Sequence, residues 1–236
     1  MLIQWFPGHM AKTKRLIIEH LKAVDVAAEL LDARIPLASA NPMVEELLSG
    51  KPRIVILNKA DLADPEMTKA WESYYKRKGV AAVSMSCGNG KDKKKFLRLI
   101  KEAAGPMLEK WKRRGLKTRS ARIMILGIPN VGKSTLINFI SGTAAARTAN
   151  TPGHTRGKQW VRLSQGLDLL DTPGVLWPKF EDQVAALRLA VTGAIAEDIF
   201  DADTVVPELM RVLARTAPDA PVSYTHLRAH ETEADL

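Results

Sequence analysis

Arg122-Ile123-Met124-Ile125-Leu126-Gly127-Ile128-Pro129-Asn130-Val131-Gly132-Lys133-Ser134-Thr135 is the stretch from which the fold is read. Residues 122–127 form a short apolar run of strand character, and 133–142 have helical periodicity. Between them stands Gly127-x4-Gly132-Lys133-Ser134. Strand, glycine turn and helix in that order are the context a phosphate-binding loop requires. The glycines let the backbone wrap a chain of phosphates with its N–H groups turned inward, and the helix start adds its positive dipole end. Lys133 offers positive charge to β- and γ-phosphates, and Ser134 an oxygen to Mg2+. Asn130, Val131, Gly132 and Thr135 complete the run expected to touch the nucleotide.

Downstream, Asp171-Thr172-Pro173-Gly174 lies about 40 residues beyond the loop, as a phosphate-sensing partner should. Asp171 ends a strand and is placed to hold Mg2+, directly or through water. Gly174 permits a backbone N–H to approach the γ-phosphate. In the polar loop Thr151-Pro152-Gly153-His154-Thr155, Thr155 is the candidate for the second Mg2+ hydroxyl ligand and Thr151 the runner-up.

Upstream, Asn58-Lys59-Ala60-Asp61 follows a strand at 53–58. The carboxylate of Asp61 can accept from both N1–H and the exocyclic amine of guanine. Adenine offers neither donor in that arrangement and would leave the carboxylate unpaired, which opposes an ATPase. Ser84-Met85-Ser86-Cys87-Gly88 follows another strand and can form a turn whose N–H groups meet guanine O6, with Ser86 and Cys87 at its apex. The bland reading of Cys87 is a small buried thiol. The base-reading motif thus precedes the phosphate loop, the reverse of the order in ordinary P-loop GTPases. All three motifs in rotated order point to a complete, circularly permuted GTPase.

The rest of the chain fits that arrangement. Strands are expected at 24–32, 53–58, 80–84, 122–127, 159–163 and 167–171, the last two as a hairpin-like pair. Helices are expected near 9–22, 42–49, 64–78, 91–104 and 133–142. Alternation of this kind predicts an α/β fold with a mostly parallel sheet and flanking helices. Val184, Leu187, Val191 and Ile195, then Val205, Leu209, Val212 and Leu213, recur at helical spacing and predict a small helical unit after the core. His226 and His230 stand four apart, but two histidines without a third ligand make a poor metal site.

Composition narrows the setting. With 46% hydrophobic residues the 236-residue chain can bury a real core. Cys87 is its one cysteine, so no internal disulfide forms and a reducing compartment suits it. No apolar run reaches the roughly 20 residues of a membrane span, and the start lacks the pattern of a secretory or import leader. The expectation is a cytoplasmic protein with no membrane partner. The formal charge of +9 is concentrated. Lys91, Lys93, Lys94 and Lys95 form one cluster; Lys110, Lys112, Arg113, Arg114, Lys117, Arg119 and Arg122 form another, read as the linker helix that rejoins the permuted ends. Such clusters are either solvated faces or attractors of polyanions. Trp111 alone among aromatics sits inside the second cluster, so phosphates of structured RNA suit it better than stacked single strands.

Taken with Gln4-Trp5-Phe6-Pro7-Gly8-His9-Met10-Ala11-Lys12, Asp32-Ala33-Arg34-Ile35-Pro36, Asn41-Pro42 and Leu176-Trp177-Pro178-Lys179-Phe180, these motifs resemble the circularly permuted GTPases, and closely the ribosome biogenesis GTPase A (RbgA/YlqF) family. The likeness covers roughly residues 3 to 215. It implies GTP and GDP as ligands, hydrolysis raised by the pre-ribosome, and a precursor of the large ribosomal subunit with its ribosomal RNA as partners. Val175 stands where Ras-like enzymes place a water-orienting Gln, and valine cannot position water. The resemblance gives that role to His9. Asn130 resembles the asparagine that coordinates K+ in potassium-activated GTPases, a secondary cofactor. The implied division is a GTPase domain over 1–178 and part of a helical RNA-binding domain over 179–221. The likeness fades after about Ala217, and 222–236 reads as a frayed tail or foreign sequence. The competing reading is a non-hydrolysing, GTP-responsive RNA scaffold.

Overall fold

The structure, a computed structural model, describes residues 10–48, 50–115, 120–142, 159–163, 166–172, 174, 182–196 and 200–218. Strands β1 (Val26–Asp32), β2 (Arg53–Asn58), β3 (Ala81–Ser84), β4 (Ala121–Gly127), β5 (Gln159–Leu163) and β6 (Leu167–Asp171) form a six-stranded sheet in the order β3-β2-β1-β4-β6-β5. β1, β2, β3, β4 and β6 run parallel, while β5 pairs antiparallel with β6. This is the α/β class expected, with the hairpin-like pair where the sequence puts it.

Parallel strands covered on both faces read as continuous apolar runs. Every residue of β1 is buried, and all of β2 except Arg53. The alternation inside β1 divides the core. Val26, Ala28 and Leu30 face a cluster with Ile54, Ile56, Phe96, Ile100, Ile123 and Ile125. Ala27 faces Ile17, Leu21, Met124 and Leu126, and Leu31 joins Val55, Leu57 and Tyr75. Register sets Asp32 beside Asn58 and Leu30 beside Gly127, so the strands end along one edge. In open α/β sheets that carboxyl edge is where ligands bind.

The helices are α1 (Met10–Leu21), α2 (Pro36–Ser39), α3 (Pro42–Leu47), α4 (Pro65–Arg77), α5 (Gly90–Arg113), α6 (Lys133–Ser141), α7 (Gln183–Val191) and α8 (Ala202–Thr216). The short α2 and the length of α5 differ from expectation. α5 continues past 104 through Pro106 to Arg113, so both basic clusters begin on one long helix. Pro106 removes one helical hydrogen bond, but the buried side chains of Ala104 before it and Trp111 after it anchor both halves. α7 turns Ala186, Leu189 and Ala190 inward and leaves Val184 and Val191 exposed. In α8 only Val205 is buried, with Val206, Met210 and Val212 exposed. Ala186, Leu189, Ala190, Ala194, Ile195 and Val205 belong to the same buried cluster as β1 and β4. Among the described residues, no helix is long and apolar enough to cross a membrane.

Candidate nucleotide site

β4 carries the chain to the carboxyl edge, where 128–132 turns back into α6. Gly132 has φ +100°, and a Cβ there would stand 2.5 Å from Asn58 Nδ2. A Cβ on Gly127 would stand 2.5 Å from the Leu30 carbonyl oxygen. Gly127 is therefore required by the close approach of the β1 backbone, and Gly132 by its left-handed backbone beside the Asn58 side chain. Asn130 adopts the left-handed region at φ 54°, which asparagine tolerates. Asp64, Asn89, Asp182 and Asp201 cap α4, α5, α7 and α8, but α6 begins on Gly132 with no side-chain cap. Its first-turn amides face outward for an anion, beside a helix-end charge of about +0.5.

Lys133 is buried, with Nζ donating to the carbonyls of Ile128 at 2.7 Å and Gly127 at 3.2 Å. Burial pulls its pKa down to about 8, while the neighbouring Asp171 carboxylate acts to raise it. Ser134 Oγ donates to Asp171 Oδ2 at 2.9 Å. The other carboxylate oxygen, Oδ1, is buried and has no hydrogen-bond partner among the described residues. Burial pushes the Asp171 carboxyl up, and the Ser134 hydrogen bond and Lys133 charge only partly offset it. A hydroxyl beside a carboxylate with an orphaned oxygen is a hard-oxygen donor set that fits a small divalent cation. Thr172 anchors this strand end through Oγ1 to the Ile125 carbonyl at 2.6 Å. Gly174 then lies against Pro129, where a Cβ would come within 2.6 Å of Pro129 Cα.

The base-reading motif is bonded directly to this loop. Asn58 is buried; its Nδ2 donates to the Val131 carbonyl at 2.8 Å, and Cys87 Sγ lies 3.7 Å from its Oδ1. Lys59, in the left-handed region at φ 59°, donates through Nζ to the Asn130 carbonyl at 2.9 Å. The Ala60 N–H donates to the Met85 carbonyl, fastening this motif to the turn after β3. Asp61 is exposed at the start of a short 3-10 turn, Ala60–Leu62. In the turn after β3, the Ser86 N–H donates to Asp92 Oδ2 at 3.0 Å. Burial, then the carboxylates of Asp61 and Asp92, raise the Cys87 thiol to about 11. Thr135 is exposed in the first turn of α6. His9, Thr151, Thr155 and Val175 lie outside the described residues.

Two connections escape sequence reasoning. Asp32 Oδ2 accepts from Lys59 Nζ at 3.0 Å, while Arg34 donates Nε to Oδ1 at 2.9 Å and Nη2 to Oδ2 at 2.7 Å. Burial alone would raise the Asp32 carboxyl, but the Arg34 hydrogen bonds and Lys59 charge outweigh it and leave it below the usual range. Asp32 thus braces the lysine of the base-reading motif; Asp32-Ala33-Arg34 stands out in the sequence, but nothing local names its partner. The second connection runs from Asn130 Nδ2 to the Gly193 carbonyl beyond α7, at 2.7 Å.

A family described as "50S ribosome-binding GTPase" matches residues 122–213. A ribosome biogenesis GTPase A of Bacillus licheniformis is 48% identical over 219 residues, spanning 93% of this chain and 77% of the relative. That of Thermotoga maritima is 32% identical, spanning 91% and 74%. The crystal structure of GNP-bound YlqF from T. maritima superposes with a TM-score of 0.65 at 30% identity, covering 87% of this chain and 76% of that one.

Proposed function

The chain belongs to the ribosome biogenesis GTPase A family, and from that premise we propose that it hydrolyses GTP as an assembly factor of the large ribosomal subunit, bound to ribosomal RNA and stimulated by the precursor particle. The observation that supports this most directly is the pair of bonds from Asn58 to Val131 and from Lys59 to Asn130. They hold a guanine reader and a phosphate loop as one pocket although the motifs are permuted.

In this reading Asp61 accepts from the guanine edge. The Ser86 amide is engaged by Asp92, so the Cys87 side of the turn faces O6. Lys133 and the first-turn amides of α6 hold the phosphates, and Gly174 brings its N–H close to the γ-phosphate. Ser134, Asp171 and Thr155 would hold Mg2+, which neutralises charge on the β- and γ-phosphates. K+ is a secondary cofactor with Asn130 as its ligand. His9 orients the attacking water, because Val175 has no polar group. The water oxygen bonds to the γ-phosphorus as the bond to the β–γ bridging oxygen breaks, giving GDP and phosphate. Exposed Lys94, Lys95, Arg98, Lys101 and Lys112 of α5 are the proposed contact with RNA phosphates.

Single-turnover hydrolysis with and without large-subunit precursors tests this. The expected result is slow turnover alone and strong stimulation by particles. His9→Ala should lose about 10²- to 10⁴-fold of the stimulated rate and keep its nucleotide affinity. Unchanged stimulated turnover in that variant removes His9 from the mechanism. No product from the unaltered chain on particles would instead leave the GTP-responsive RNA scaffold.

A further inference from the structure

A recess separate from the nucleotide pocket lies between α4, the corner joining α2 to α3, and the start of β2. It encloses about 430 Å3 and is lined by Leu37, Pro42, Arg53, Trp71, Tyr74 and Lys78 among others. That size falls within the roughly 300–1,000 Å3 of small-ligand sites. None of these residues takes part in the proposed GTP hydrolysis, although Asn41-Pro42 is a motif of the sequence.

Its chemistry is of two kinds. Trp71 and Tyr74 meet edge to face at 5.2 Å, and Tyr74 meets Tyr75 the same way at 5.3 Å. Tyr75 is buried in the core cluster with Leu31, Val55 and Leu57, which fixes the set. Trp71 and Tyr74 remain half-buried, and Leu37 is 65% exposed beside them. The second kind is basic. Lys78 Nζ lies 5.0 Å from the Tyr74 ring centre and carries the local positive charge, while the Arg53 guanidinium is held at the site, its charge offset, by an ion pair with the buried Glu29. Exposed Lys76 and Arg77 precede Lys78, while the nearby Glu72 carboxylate accepts the Ser84 N–H.

Aromatic faces alone would suit any apolar group, and cations alone any anion. Their juxtaposition suits a planar ring carrying a phosphate. Stacking on aromatic side chains beside basic groups is how unpaired bases are held, and the aromatics that the basic clusters of the sequence lack are gathered here. We propose that this recess binds one unpaired nucleotide of single-stranded RNA, with its base against Trp71 and Tyr74 and its phosphate toward Lys78 and Arg53. The site goes beyond GTP hydrolysis and does not depend on it.

The test is fluorescence anisotropy of labelled hexauridylate and hexaadenylate with the full chain, its guanine pocket saturated with GDP. Trp71→Ala with Tyr74→Ala should weaken binding by about 5- to 150-fold for each stacked base lost. Trp71→Phe and Tyr74→Phe should largely retain it. Lys78→Gln should lower the magnitude of the salt slope by about 0.7, one phosphate on a single strand. GDP affinity, unchanged in every variant, shows that the fold persists and separates failure here from failure of the GTPase reading. Equal RNA affinity in the alanine variants would overturn the proposal. So would a proline-rich peptide that displaces the RNA from the unaltered chain and loses its own binding in the alanine variants, since aromatic grooves also take such segments.

Discussion

In the proposed role of phosphate ligand, Lys133 has to be both buried and charged, and those demands oppose each other. With its pKa near 8 rather than the usual 10.5, it begins to lose its proton in the folded chain where the unfolded chain still holds it. Between those values the unfolded state binds more protons, so folding stability from this group rises with pH from about 8 to 10.5. Phosphate binding runs the other way, because it needs the ammonium. GTP affinity should fall as pH rises from 7 to 9, approaching tenfold per unit above 8, and Lys133→Met should weaken binding and flatten the dependence. Titration of a fluorescent GTP analogue across that range decides it; a flat profile for the unaltered chain sinks the idea. The lysine itself is legible from the Gly-x4-Gly-Lys-Ser spacing. The reasons for the glycines are not, since Leu30 and Asn58, which crowd them, come from strands far earlier in the chain.

At the scale of elements, the bond from Asn130 to Gly193 fastens the phosphate loop to the end of α7. Whatever moves Asn130 on nucleotide binding is felt there. A typical intramolecular hydrogen bond contributes about 0.5–1.5 kcal/mol. Asn130→Ala should therefore speed amide exchange over 189–195 by roughly 2- to 13-fold through local opening. Hydrogen–deuterium exchange with and without GDP measures this, and identical protection in variant and parent would show that the bond couples nothing. Sequence reading finds α7 by its periodicity. Of the residues that mark it, Leu187 packs partly buried against the core and Ile195 is buried just beyond the helix, while Val184 and Val191 are exposed. Large apolar residues dominate a periodicity argument, whereas Ala186 and Ala190 are inward because small residues allow the helix to pack closely. It stops α5 early for a related reason: Gly105-Pro106 reads as a break, and the burial of Trp111 that carries the helix onward is a tertiary effect.

For the whole molecule, the buried cluster runs from β1 and β4 into α7 and reaches Val205. A boundary near 178 follows the motifs but cuts through packed side chains. Burying one Leu, Ile or Val stabilises by about 1.5–3 kcal/mol, and Leu189, Ile195 and Val205 are all removed by ending the chain at residue 181. Against a usual total of about 5–15 kcal/mol, that truncation should lower the urea midpoint sharply or abolish folding. The intact chain should unfold in one transition. A shortened chain as stable as the intact one would support a boundary at 178. The sheet itself was largely readable, because β2 and β4 are apolar runs ended by a motif and β6 runs straight into Asp171-Thr172; the joining of the helical unit to it was not, since alanine contacts leave little trace in sequence.

The pairing of β1 with β4 acquires another meaning when the chain is followed as it is made. Translation completes β1, β2 and β3 first, and the ribosome must then add all of α5 before β4 exists. Throughout that interval β1, apolar except for Glu29 and Asp32 and destined for burial along its whole length, has an open edge of the kind that recruits other strands. A permutation harmless to the finished pocket thus exposes the nascent chain, and arrival of Ala121–Gly127 is what covers the edge of β1.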